Sequence, residues 1–252
     1  MVHMFLTRTT LSLYDAFLTL AYPQACSLCG ESVESRIYGG VCRNCWNSTR
    51  VFTVDEVVCW KCGVPARGGV GRQEAETIRC RRCDWQQFEV ARACGVYEGA
   101  LRESALLLKR QPNLSAHLLN LLVGVAKRSP FDQSTRIIPV PLHPERERER
   151  GFNQAVLISK AVAPVLGLIV DEQSLVRVGK SQRYRAGLDS KGRRDTVEKA
   201  FSVRFPQLIE GENILLVDDV FTTGATVSSC AEALLSGGAG AVYVLTIARP
   251  SR

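Results

Sequence analysis

The sequence predicts an α/β protein: a parallel sheet flanked by helices, preceded by a small zinc-binding module. Three observations predict it. First, the apolar run Ile214-Leu215-Leu216-Val217 ends in Asp218-Asp219, passes through a hydroxyl-rich turn and continues as a helical pattern from Val227 to Leu235, the order of a buried parallel strand followed by its helix. Second, strand-like and helix-like segments alternate from Phe88 onward, which favours a parallel sheet over separate layers. Third, eight of the ten cysteines form four C-x-x-C pairs, all in the first third of the chain. At 252 residues, 46% hydrophobic and 23% charged, the chain has room for one good core and a lesser module. The expected division is 1–92 for an N-terminal helix with two zinc ribbons and 93–252 for the α/β domain.

The cysteine pairs are Cys26/Cys29, Cys42/Cys45, Cys59/Cys62 and Cys80/Cys83. Tetrahedral zinc takes four thiolates, and each C-x-x-C turn supplies two. Two structural Zn²⁺ sites follow by arithmetic. Gly30 and Gly63 each follow the second cysteine of a pair, as a knuckle needing positive φ requires. Pairing in sequence order gives Cys26, Cys29, Cys42 and Cys45 to one ion and Cys59, Cys62, Cys80 and Cys83 to the other. A crossed arrangement, with the first and third pairs sharing a metal, is the alternative. Sequential pairing is favoured because each ribbon then closes its own short loop. Disulfide or redox use is disfavoured, since redox pairs rarely come four in a row. Cys94 and Cys230 read as core residues.

Leu11 to Tyr22 is apolar apart from Asp15 and a few polar positions, too short to span a bilayer and without a strongly basic leader or clear cleavage site. It is expected to pack as a helix on the rest of the protein, with no membrane span and residence in the cytoplasm. Ala66 to Glu76 reads as an exposed finger. Trp46, Trp60 and Trp85 lie at or near cysteines, where they cover zinc sites or, alternatively, stack single-stranded nucleic acid.

Phe88 to Tyr97 is an expected strand. Gly99–Arg110 and Leu114–Lys127 carry helical spacing around Pro112, with His117 read as a packed or solvated histidine. Ile137 to Leu142 reads as a strand ended by Pro139 and Pro141. His143 to Gln154 follows as an arginine-rich loop in which Glu and Arg alternate. It is a solvated, ion-paired helix start on one reading and an anion loop on the other, with Arg146, Arg148 and Arg150 offering forked hydrogen bonds to pyrophosphate. Arg177 to Lys199 has eight basic against three acidic residues and reads as a basic flap, closing on a pyrophosphate or gripping nucleic-acid phosphates. A net charge of +7 and a pI near 9.0 permit such ligands without requiring them.

The turn after Asp219 contains Thr222, Thr223, Gly224, Ala225 and Thr226. Hydroxyl donors, a glycine that lets backbone approach closely, and the free N–H groups of a helix start make an anion cradle. It is not a P-loop, because no Gly-Lys-Ser/Thr follows the strand. Two carboxylates would repel a phosphate, so they face something else: sugar hydroxyls, a metal, or both. A phosphate on one side and a diol on the other describe a ribose 5-phosphate.

These residues resemble the signature of type I phosphoribosyltransferases. That resemblance implies that Asp218 and Asp219 hold the ribose hydroxyls, that Thr222 to Thr226 wrap the 5-phosphate, and that Mg²⁺ accompanies the ligand. Thr222 stands where purine-salvage members carry an acidic acid/base residue. With the four cysteine pairs, Val140-Pro141-Leu142, Arg150-Gly151-Phe152-Asn153-Gln154 and the flap, the whole chain resembles the ComF family, a phosphoribosyltransferase-like group linked to DNA uptake in natural competence. Glu145 and Glu147 make its arginine segment less basic than expected for that family. The resemblance implies a phosphoribosyl pyrophosphate-type ligand, possible phosphoribosyl transfer, and single-stranded DNA and competence proteins as partners. Alternatives are a phosphoribosyltransferase of nucleotide metabolism without a DNA role, and a zinc-stapled scaffold.

Overall fold

The computed structural model describes residues 15, 17–66, 78–178 and 200–251. Most of the expected finger (67–76) and flap (179–199), and the start of the expected N-terminal helix, lie outside the described residues.

Five parallel strands form the main sheet: β1 (Val90–Val96), β2 (Arg136–Pro139), β3 (Ile169–Val170), β6 (Asn213–Val220) and β7 (Ala241–Arg249), in the order β1-β7-β6-β2-β3. β4 (Leu175–Arg177) and β5 (Phe201–Val203) pair antiparallel as a separate ribbon. After β2 the chain moves outward to β3; after β6 it moves outward the other way to β7. The topological switch point therefore lies between β2 and β6, where open α/β sheets bind ligands beyond the strand ends.

Side chains alternate across β6 as its pleat demands. Leu215 and Val217 enter one apolar cluster, with Leu101 of α2 (Gly99–Leu108), Leu122 of α3 (Ala116–Ala126) and Ile158 of α5 (Gln154–Leu166). Ile214 and Leu216 enter the other, with Cys230 and Leu234 of α6 (Ala225–Ser236). The first cysteine ribbon adds Cys26, Val41, Cys42 and, from α1 (Arg43–Asn47), Trp46 to the first cluster. The second adds Cys59, Cys62, Cys83 and Phe88 to the opposite one. The two ribbons thus lie on opposite faces of one sheet. The chain between them covers the outer edge of β1: the Phe52 N–H donates to Cys94 O at 2.8 Å and the Val96 N–H to Arg50 O at 3.0 Å, removing an exposed sheet edge.

The N-terminal segment is pinned to the first ribbon through Asp15, whose carboxylate accepts from Ser35 Oγ at 2.6 Å and from the Arg36 N–H at 3.0 Å. His117 is packed against Tyr38 and Trp46, and Cys94 and Cys230 are buried. Among the described residues no helix is long and apolar enough to cross a membrane.

Of the two readings of the arginine-rich segment, the solvated helix agrees with the structure: Pro144–Arg150 is a helix (α4), exposed along most of its length. His143 caps it by accepting from the Glu145 N–H, Pro144 sits at its start, and Gly151 ends it at φ 76°. Glu145 and Glu147 occupy its first turn and Arg148 and Arg150 its last, the order the helix dipole favours. Asn153 then caps α5 and donates from Nδ2 to Val140 O at 2.9 Å, fixing both helices against the end of β2.

Candidate ligand site at the sheet switch point

Asp218 and Asp219 lie near the C-terminal end of strand β6. The Asp219 N–H donates to Asp218 Oδ1 at 2.8 Å, and the Val220 N–H to Asp219 Oδ1 at 2.7 Å. Lys109, capping the end of α2, sets Nζ 2.9 Å from Asp219 Oδ2. Burial, reinforced by the adjacent Asp219 charge, raises the Asp218 carboxyl to about 8, with Lys109 pulling the other way. That raised value favours the protonated form of Asp218 at neutral pH. A protonated acid that donates beside an ion-paired one that accepts is a suitable pair for vicinal hydroxyls.

The chain then turns through Phe221, Thr222, Thr223 and Gly224 into α6, whose N-cap is Gly224 at φ 82°. Thr222, Thr223 and Thr226 are exposed. The Ala225 N–H donates to Thr223 Oγ1 at 3.3 Å. A Cβ on Gly224 would lie 2.4 Å from Gln86 Nε2 and 2.7 Å from Phe221 Cζ, so no other residue fits without displacing neighbours. Between α4, β4 and α6 lies a polar cavity of about 620 Å³ whose lining includes His143, Arg146, Arg177 and Thr226. Arg177 stacks on Phe201 with its guanidinium carbon 5.2 Å from the ring centroid. Arg148 and Arg150 do not line this cavity; Arg148 Nε donates to Pro144 O of its own helix at 3.3 Å.

The cysteines gather into two sets in sequence order, Cys26, Cys29, Cys42, Cys45 and Cys59, Cys62, Cys80, Cys83, each with all sulfurs within 4.8 Å of one another. Zn–S bonds of about 2.3 Å give a tetrahedral edge of about 3.8 Å. The sulfurs lie 3.6 Å (Cys29–Cys42) and 3.9 Å (Cys26–Cys45) apart in the first set, and 3.7 Å for both Cys59–Cys83 and Cys62–Cys80 in the second. Gly30 and Gly63 have φ of 79° and 69°, as knuckles need. The donor set therefore fits structural zinc, which supplies a cross-link neither small ribbon could replace with a core.

The sequence model of the double zinc ribbon domain matches residues 17–95. Over 239 residues the chain is 31% identical to DNA utilization protein YhgH of Salmonella typhimurium, covering 91% of this chain and 99% of that one. This chain belongs to the ComF family. Other ComF relatives are competence protein ComFC of Bacillus subtilis, 28% identical over 81% of this chain and 89% of that one, and competence protein F of Haemophilus influenzae, 36% identical over 53% and 59%. Solved structures overlap partially: a glutamine phosphoribosylpyrophosphate amidotransferase from B. subtilis (19% identity, TM-score 0.37, 54% of this chain and 28% of that one) and an adenine phosphoribosyltransferase from Leishmania donovani (18% identity, TM-score 0.34, 58% and 54%).

Around the acid pair and turn, this ComF chain assembles three residues that its motifs do not mark. Lys109 reads in sequence only as a basic residue ending a helix. Arg249, 2% exposed, donates to Cys62 O and places its guanidinium carbon 5.0 Å from the Phe221 ring centroid. Gln86, 5% exposed, donates from Nε2 to Thr223 O at 3.2 Å. Each lies far in sequence from its partner, and no local pattern announces such a contact.

Proposed function

We propose that this ComF chain binds a phosphoribosyl pyrophosphate-type ligand across the β2–β6 switch point and acts in the uptake or use of DNA. The observation that carries the reading is the meeting, at one strand end, of two adjacent acids, a hydroxyl-lined turn at a helix start, and a polar cavity lined by Arg146 and Arg177 together with Glu145 and Glu149. Asp218 and Asp219 would take the ribose hydroxyls, Thr222 to Thr226 the 5-phosphate, and the two arginines the pyrophosphate. Mg²⁺, when bound, would screen the pyrophosphate charge. It would be held through ligand oxygens, because Lys109 already occupies Asp219. The DNA role is supported by the names of the relatives, which are called DNA utilization and competence proteins. The net charge of +7 is compatible with nucleic acid.

Calorimetry with Mg²⁺ and phosphoribosyl pyrophosphate on wild type and Asp218→Ala tests the ligand. Micromolar binding lost in the variant is the expected result, and no binding by wild type would refute it. Single-stranded DNA should bind with an affinity falling steeply as salt rises; salt-independent binding would count against the DNA role.

Phosphoribosyl transfer is a second reading, favoured by the arginines, which would stabilise a departing pyrophosphate by fixed electrostatics. A screen of nucleobases for release of labelled pyrophosphate decides it.

A further inference from the structure

We propose that the second zinc ribbon is a wall of the ligand site, and that Gln86 is the positioning residue through which it sets the phosphate-binding turn. The ligand half of this proposal rests on the reading given under Proposed function.

Gln86 lies three residues beyond Cys83, and its N–H donates to Cys83 O at 3.2 Å. Its side chain crosses to the turn and donates to Thr223 O at 3.2 Å. The next N–H, of Gln87, donates to Ser228 Oγ in the first turn of α6 at 3.1 Å. The ribbon thus holds the chain on both sides of Gly224. Phe88 of the same segment meets Phe221 edge-on at 5.8 Å between centroids, and Arg249 links Phe221 to Cys62 O.

The contact with Thr223 has a directional consequence. In a trans peptide the C=O and the following N–H point oppositely. Holding the Thr223 carbonyl toward the ribbon therefore turns the Gly224 N–H away from it, as a donor at the helix start where an anion would sit. Gly224 has no room for a Cβ because Gln86 and Phe221 fill that space, so the turn is pressed against the ribbon.

The choice of glutamine is itself informative. Among the described residues, Gln86 Oε1 is buried without a hydrogen-bond partner. A half-satisfied buried amide costs stability. Methionine, of similar length, would fill the same space without that cost, so packing alone does not account for an amide here. The first ribbon lies on the other face of the sheet and has no such role.

The test uses the full zinc-loaded chain and Gln86→Met. Hydrogen exchange of the ligand-free protein should quicken roughly fivefold or more at Ala225 and Ser228, whose N–H groups donate to Thr223 Oγ1 and Gly224 O, since one hydrogen bond that holds the turn is lost, with β6 and the first ribbon unchanged. Ribose 5-phosphate should bind roughly five- to tenfold more weakly, while Mg-pyrophosphate, which uses the arginine cavity, stays within about twofold. Two zinc ions should be retained and the Tm should not fall. Unchanged exchange together with unchanged ribose 5-phosphate affinity would overturn the proposal, as would equal weakening of both ligands. If wild type binds neither ligand, the ligand reading fails, and the exchange measurement still decides whether Gln86 sets the turn.

Discussion

Lys109 Nζ sits 2.9 Å from Asp219 Oδ2, joining the end of α2 to the end of β6. Both side chains are less than a third exposed, at 29% and 18%, so solvent screens the pair only in part. The contact sets a cation against the Asp219 carboxylate beside the place of an anionic ligand. Lys109→Met, which keeps the aliphatic stem, should weaken phosphoribosyl pyrophosphate about tenfold or more and cost about 1 kcal/mol of stability. A cycle with Asp219→Asn, read by urea unfolding, should return a coupling of about that size. Additive effects would show that the contact carries no energy.

Asp218 gives a pH dependence with a definite sign. Its ordinary value is 3.8 and the fold raises it to about 8. Between those values the folded chain holds a proton that the unfolded chain has released, so this group makes stability fall as pH rises through the window and level off above about 8. Asp218→Asn has no such proton. Its Tm should exceed that of wild type by more at pH 9 than at pH 5. Parallel Tm curves would show that the carboxyl titrates normally.

Much of this architecture was readable because the signals are contiguous. β6, its acids and its turn form one unbroken pattern, and the cysteine spacing dictates two tetrahedral sets. The contacts that were not readable join distant segments: Lys109 to Asp219, Gln86 to Thr223, Arg249 to Cys62. Sequence also makes the three arginines of residues 144–150 equivalent, and a helix does not. The strict alternation of Glu and Arg has no helical apolar face, so the sequence leaves a helix start and a loop both open there, although Pro144 and Gly151 mark the start and stop of α4.

Helical geometry separates those arginines experimentally. Residues two apart lie on different faces. Arg146 lines the cavity with Arg177, whereas Arg148 turns back on Pro144 O. Arg146→Ala and Arg177→Ala should each weaken Mg-pyrophosphate about tenfold or more, the loss of a charged hydrogen bond. Arg148→Ala should stay within about twofold. Equal losses at all three would point to a general charge effect.

The two zinc sites should differ in lability. Cys29 of the first is exposed, whereas Cys59, Cys62 and Cys83 of the second are 1%, 2% and 0% exposed. A chelator must await a larger opening to reach the second, and each ~1.4 kcal/mol of extra opening energy slows release about tenfold. Zinc release followed with a colorimetric indicator should therefore be biphasic. Cys29→Ser should remove the fast phase and Cys83→Ser the slow one. A single phase in wild type would mean that burial does not govern access.

Two glycines in the left-handed region offer a controlled comparison. Gly151 has φ 76° and open space where a Cβ would go, while Gly224 has φ 82° and a Cβ position 2.4 Å from Gln86 Nε2 and 2.7 Å from Phe221 Cζ. Alanine at either costs about 1–2 kcal/mol for its backbone conformation. At Gly224 it must also displace the amide that holds Thr223, adding about 1–3 kcal/mol. Gly151→Ala should thus lower stability modestly and leave ribose 5-phosphate binding intact. Gly224→Ala should lose more stability and most of the binding. Urea unfolding and calorimetry on the two variants compare them directly. If both variants bind as wild type does, the turn does not grip the phosphate, because that grip requires the close approach that a side chain at Gly224 would prevent.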